Sequence, residues 1–123
     1  MKKKILLVDD ENNFCTLLKM NLEKRGPFEV VTTTNPNDVI KLAKENKPDL
    51  ILLDILMPEM DGMTVAAALK GDTDTKNIVI AFLTALANEE DVRDMKGRAG
   101  DNHVFSKLGT TEELMTSISR ILK

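Results

Sequence analysis

Five polar side chains stand directly behind the chain's short apolar runs. Asp9 and Asp10 follow Ile5-Leu6-Leu7-Val8, Asp54 follows Asp49–Leu53, Thr84 follows Ile78–Leu83, and Lys107 comes just after Val104-Phe105. If those runs lie side by side, three carboxylates, a hydroxyl and an ammonium meet at one edge. Two unit charges ~4 Å apart repel by about 4 kcal/mol at an effective dielectric of ~20, so such a gathering destabilises the fold unless a cation joins it. A hard divalent ion with oxygen ligands suits the set, because Mg²⁺ takes one or two carboxylates and keeps several waters. One histidine (His103) and one cysteine (Cys15) are too few for a zinc site. A carboxylate beside Mg²⁺, faced by a lysine and a threonine, suits phosphoryl transfer: metal and ammonium offset charge on the transferring oxygens, and the hydroxyl hydrogen-bonds one of them. One of the carboxylates is then the nucleophile, forming an acyl phosphate.

Each residue also has an ordinary structural role open to it. Asp10 can cap the helix that follows, and Asp9-Asp10-Glu11 can complement its positive end. Thr84 can satisfy a turn and Lys107 can be a solvated surface lysine, since polar residues collect in loops. Their coincidence behind successive apolar runs is what weakens these readings.

The elements that would position these residues alternate along the chain. The runs Ile5–Val8, Phe28–Thr33, Asp49–Leu53, Ile78–Leu83 and the weaker Val104-Phe105 are branched-rich and apolar on both faces, as buried parallel strands are. Between them lie helical periods. Phe14, Leu17, Leu18 and Leu22 form an inward stripe closed by Gly26-Pro27, with Cys15 packed beside it. Asn35-Pro36 reads as an N-cap and first helical residue, with Val39, Leu42 and Ala43 inward. Met63–Leu69 and Glu89 to about Lys96 give a third and a fourth helix, and a capping box at Thr110-Thr111-Glu112-Glu113 opens the last, ahead of Leu114, Ile118, Ile121 and Leu122. Five βα units imply a doubly wound α/β sandwich with a parallel sheet and helices on both faces. In such sheets ligands sit outside the carboxyl ends of the strands, where the five polar residues fall.

The whole chain, 1–123, reads as one domain, long enough to bury a substantial core. A formal charge of −3, with Lys2-Lys3-Lys4 as the sole basic cluster, speaks against direct nucleic-acid binding. Four Phe and no Trp or Tyr leave little for stacking on bases. No apolar stretch reaches membrane-spanning length, and the run after the lysines is too short for a signal peptide, so no membrane insertion is expected. The lone Cys15 makes no internal disulfide, which suits a reducing cytoplasm. His103 reads as a partly exposed strand residue, and the methionines call for no cofactor, since methionine fills gaps.

The sequence resembles the response-regulator receiver family of two-component signalling, with its CheY-like (flavodoxin-like) fold, from Lys4 to about Leu122. Asp54-Ile55-Leu56-Met57-Pro58-Glu59-Met60-Asp61-Gly62 matches the family's phosphoacceptor loop, D-x-x-M-P-x-M-D-G, and Ile5–Glu11 matches its first strand and acidic pair. Thr84-Ala85 and Lys107 fall where the family keeps its hydroxyl and lysine. The resemblance implies a five-stranded sheet in the order 2-1-3-4-5 with five helices. It implies that Asp54 accepts phosphate from a sensor histidine kinase or phosphotransfer protein. Asp10 would then ligate Mg²⁺ directly and Asp9 through water, with Asp54 and the backbone carbonyl of Leu56 completing the protein ligands. Lys107 would pair with the phosphoryl group, and Thr84 would move toward it, repacking a face that a downstream protein target reads. The protein would be a monomer or a phosphorylation-dependent dimer. Because the chain ends at its last helix, it is expected to carry no effector of its own, acting either as a stand-alone regulator or as one domain of a longer chain.

The chain departs from the family pattern in two places and adds a feature of its own. Leu108 replaces the proline that usually follows the lysine, so a trans Lys107–Leu108 peptide is expected. Val104 occupies the position of the usual switch aromatic, and strand alternation sends His103 and Phe105 to the other face. Leu56 and Leu86 would overhang the site and shield the phosphoryl group from water; faster autodephosphorylation of Leu86→Glu is the test. Three other functions share parts of the pattern. A small Mg²⁺-dependent phosphatase would need D-x-D after the first strand. An FMN carrier would need a glycine- and hydroxyl-rich loop there. A phosphorylation-independent, receiver-like binding module would not need all five polar residues.

Overall fold

The computed structural model describes residues 2–55, 57, 61–85 and 102–122. The elements are β1 (Lys3–Val8), α1 (Asn12–Arg25), β2 (Phe28–Thr33), a 3₁₀ turn (Pro36–Asp38), α2 (Val39–Asn46), β3 (Leu50–Asp54), α3 (Gly62–Lys70), β4 (Val79–Thr84), β5 (His103–Ser106) and α4 (Thr111–Ile121). The strands form one parallel sheet in the order β2-β1-β3-β4-β5. Four α-helices lie within the described residues, and the further helix expected over 89–96 falls outside them.

Every strand has an apolar residue on both faces, which gives the sheet two cores. Leu6, Val8, Ile51, Leu53, Ile80, Phe82 and Val104 pack with Val39 and Ala43 of α2 and Val65, Ala66 and Leu69 of α3. Ile5, Leu7, Leu50, Leu52, Ala81 and Leu83 pack on the other face with Cys15, Leu18 and Leu22 of α1 and Leu114 and Ile118 of α4. Burying a Leu or Ile side chain is worth roughly 1.5–3 kcal/mol, so these two layers supply the main drive for folding. No helix among the described residues is long and apolar enough to cross a membrane.

The inward stripe of α1 differs from expectation. Leu17 is 60% exposed, and Cys15 takes the inward place beside Leu18 and Leu22. Each residue turns the helix by about 100°, so an arc centred on Leu18 and Leu22 takes in Cys15 and part of Phe14 and leaves Leu17 outside. Asp10 does not cap this helix. The N-cap is Glu11, whose side chain makes no capping bond, and the Glu11 N–H donates instead to Oδ1 of Asp9 (2.9 Å). Asn35 accepts the Asn37 N–H (3.0 Å), but Pro36 opens the 3₁₀ turn and α2 starts only at Val39. At the last helix the Thr110 hydroxyl accepts the Glu113 N–H (3.1 Å), as the Thr-x-x-Glu spacing requires.

Candidate functional site

The parallel register sets the site. Val8 pairs with Leu53, so Asp9 and Asp54 leave neighbouring strand ends side by side. Both continue the alternation of Ile5, Leu7, Leu50 and Leu52, and therefore lie on the α1/α4 face. One carboxylate oxygen each from Asp9, Asp10 and Asp54 falls within 4.8 Å of the others. Asp9 is fully buried, Asp54 nearly so, and Asp10 exposed.

Two backbone features hold Asp54 in place. The Ile55 N–H donates to Leu83 O (3.0 Å), extending the β3–β4 pairing past the carboxylate. The Gly62 N–H donates to Ile55 O (2.8 Å), bringing the start of α3 back against the same strand end. A β-carbon on Gly62 would collide with the Asp54 carbonyl oxygen and sit 3.0 Å from the Ile55 Cα, so this approach requires glycine. Asp61 caps α3 by accepting the Thr64 N–H (2.8 Å) and hydroxyl (3.1 Å).

Lys107 lies just past β5, and its N–H donates to Thr84 O (2.8 Å), tying it to the end of β4. Its side chain reaches back over the sheet edge. Nζ is 2.7 Å from Glu11 Oε1, 2.8 Å from Asp9 Oδ2 and 3.9 Å from Asp54 Oδ2. It also sits 4.6 Å above the centroid of the Phe14 ring, a cation–π contact. The Asp9 contact is a close ion pair, with its carboxylate fully buried. Thr84 closes β4 almost fully buried, opposite Ser106 on β5. By strand alternation Thr84 shares the α2/α3 face with Phe82 and the buried Val104, whereas Phe105 packs on the α1/α4 face, stacked with His103. The Lys107–Leu108 peptide is trans.

Electrostatics follow from this packing. Burial pushes the Asp9 carboxyl above its ordinary 3.8; the Lys107 ammonium and the Glu11 N–H oppose the shift without cancelling it. Burial alone would lower the Lys107 pKa, but contacts with Asp9 and Glu11 and the nearby Asp54 charge overcome it and hold the ammonium above its ordinary 10.5. Burial and the Asp9 charge push the Cys15 thiol up to about 11, while its sulfur donates weakly to Asp9 O (3.5 Å). Cys15 is therefore packing, as its place beside the α1 stripe suggested.

Asp9, Asp10, Asp54 and Lys107 thus gather at the carboxyl edge of the sheet, and Thr84 closes the neighbouring strand β4, its carbonyl bonded to the Lys107 N–H. Leu56 and Leu86 lie outside the described residues. Glu11 and Phe14 were missed as neighbours of Lys107. The available signal was their spacing of three, which puts both on the side of α1 that meets the strand ends.

A CheY-like sheet with acidic residues and a lysine at its carboxyl edge defines a signal-receiving domain. The chain belongs to the response regulator receiver domain family, whose profile matches residues 5–119. It is 33% identical over 124 residues to the Bacillus subtilis alkaline phosphatase synthesis transcriptional regulatory protein PhoP, covering 100% of this chain and 50% of that protein. It is 35% identical over 115 residues to the transcriptional regulatory protein SrrA of Staphylococcus aureus, covering 94% of this chain and 46% of that one. The chain thus spans about half the length of the curated relatives it matches. Among solved structures, the BeF3-activated N-terminal receiver domain of Klebsiella pneumoniae RstA superposes with a TM-score of 0.83 at 27% identity, over 98% of this chain and 99% of that one. The chemotaxis protein CheY4 of Vibrio cholerae gives 0.85 at 24% identity, over 99% and 100%, a likeness of fold. Membership makes this a receiver domain of the two-component response-regulator family.

Proposed function

We propose that Asp54 is the phosphoacceptor, taking a phosphoryl group from a phosphohistidine of a sensor histidine kinase or phosphotransfer protein. A carboxylate oxygen of Asp54 attacks phosphorus, the P–O bond forms as the P–N bond breaks, and the donor's imidazole, already protonated on its other ring nitrogen, leaves as the neutral base. The observation that carries this reading is the setting of Asp54: a nearly buried carboxylate within 4.8 Å of two others, with a buried ammonium 3.9 Å away. Lys107 would pair with the phosphoryl oxygens and Thr84 would hydrogen-bond one of them.

The same residues fit Mg²⁺. Three carboxylate oxygens already stand within 4.8 Å of one another, an all-oxygen donor set of the kind a hard divalent cation takes. Asp9, Asp10 and Asp54 would hold the ion, with the Leu56 carbonyl added on the family pattern. When bound, Mg²⁺ supplies charge compensation for the transferring oxygens. The chain's own chemistry would be limited to self-phosphotransfer and autodephosphorylation, and residues 1–123 would act as one cytoplasmic receiver that signals through contacts with a downstream protein.

Incubation with phosphoramidate and Mg²⁺, followed by intact mass, tests the reading. A gain of one phosphoryl group in wild type, lost in Asp54→Asn, supports it. No gain in wild type, or an equal gain in Asp54→Asn, refutes it.

A further inference from the structure

At rest Lys107 lies closer to Glu11 and Asp9 than to Asp54. Its ammonium donates to Glu11 Oε1 at 2.7 Å and contacts Asp9 Oδ2 at 2.8 Å, while Asp54 Oδ2 at 3.9 Å is beyond hydrogen-bonding distance. The Phe14 ring supports the ammonium from a further side. Of these partners Glu11 is the exposed one, with 64% of its side chain open to solvent, against 0% for Asp9. A phosphoryl group on Asp54 would bring roughly two negative charges and three acceptor oxygens. Any turn of the ammonium toward those oxygens would be made at the cost of its outermost contact, the one to Glu11.

We propose that Glu11 is a positioning residue, a latch that holds the Lys107 ammonium in the resting state and competes with the Asp54 phosphoryl group for it. The proposal rests on the reading of Asp54 as phosphoacceptor and Lys107 as its partner. It adds that the strength of one exposed ion pair, 96 residues apart in sequence, tunes how readily the phosphorylated state forms. Glu11 touches no reacting atom; it acts through Lys107.

The test is titration of the full chain with beryllium fluoride, a stable phosphoryl mimic, at saturating Mg²⁺, with bound fluoride followed by ¹⁹F NMR. Glu11→Gln removes the charge. Glu11→Asp keeps the charge but withdraws it from Nζ by one methylene. Because exposed ion pairs are weak, each variant is expected to lower the half-saturating concentration by about threefold to fivefold relative to wild type. Wild-type saturation in both variants overturns the latch. So does tightening in Glu11→Gln alone, which would mark a general charge effect. No bound fluoride in wild type refutes the phosphoacceptor reading and the latch with it, whereas the other two adverse results leave that reading standing.

Discussion

Replacing Asp54 by Asn is expected to stabilise the metal-free protein, although most substitutions of a buried residue destabilise. Asp54 has carboxylate oxygens of Asp9 and Asp10 within 4.8 Å. At an effective dielectric of ~20 each repels it by about 3.5 kcal/mol or more. Against this stands its attraction to Lys107 at 3.9 Å, about 4 kcal/mol on the same scale. Repulsion therefore exceeds attraction by about 3 kcal/mol, and because Asp10 is exposed and screened, a net gain of about 1–2 kcal/mol is expected. Asn keeps the shape and removes the charge. Urea unfolding at pH 7 in EDTA should show Asp54→Asn with the higher midpoint and an unchanged slope. In millimolar Mg²⁺ the difference should shrink or reverse, because wild type gains more from the ion by mass action. An Asp54→Asn protein less stable than wild type in EDTA by 1 kcal/mol or more would refute the view that the three carboxylates strain the metal-free fold.

Three further outcomes follow from the same geometry. Asp9 has a folded pKa above its ordinary 3.8, so its contribution to stability is fully present below 3.8 and is lost as pH rises through the folded value; in EDTA, Asp9→Asn should flatten that part of the urea midpoint–pH profile, and an unaltered profile would contradict it. Cys15 is 1% exposed with its thiol pushed up to about 11, so a thiol reagent at pH 8 should label the native protein far more slowly than the urea-unfolded chain, a comparison readable by mass. Gly62→Ala should cost about 1–3 kcal/mol from overpacking and slow phosphoramidate labelling, because the β-carbon would press on the Asp54 carbonyl; urea melts and intact mass check both effects.

What was legible in the sequence depended on distance along the chain. The strands were plain because a parallel strand covered on both faces must be apolar at every position, as Leu50–Leu53 is. The meeting of Asp9, Asp10, Asp54 and Lys107 then followed from putting successive strand ends at one edge, whereas the strand order itself came from family resemblance. Local chemistry also carried through, as at Thr110 and Glu113. Tilt and rotation of helices did not. Leu17 and Cys15 both fit an apolar stripe by spacing, and only packing against the sheet decides between them. The partnership of Lys107 with Glu11 and Phe14 was hidden for a different reason: a flexible four-carbon stem can reach any of several acids at the edge, and periodicity does not say which.

The bond from the Lys107 N–H to Thr84 O has a mechanical consequence. It joins two residues whose side chains leave the sheet on opposite faces, Lys107 toward α1 and Thr84 toward the layer of α2 and α3. At that point the sheet edge is a fulcrum with an arm on either side. The bond is made by main-chain atoms, so the backbone positions of the two residues are set together. That short main-chain link ties the side of the sheet that packs on α1 to the side that packs on α2 and α3.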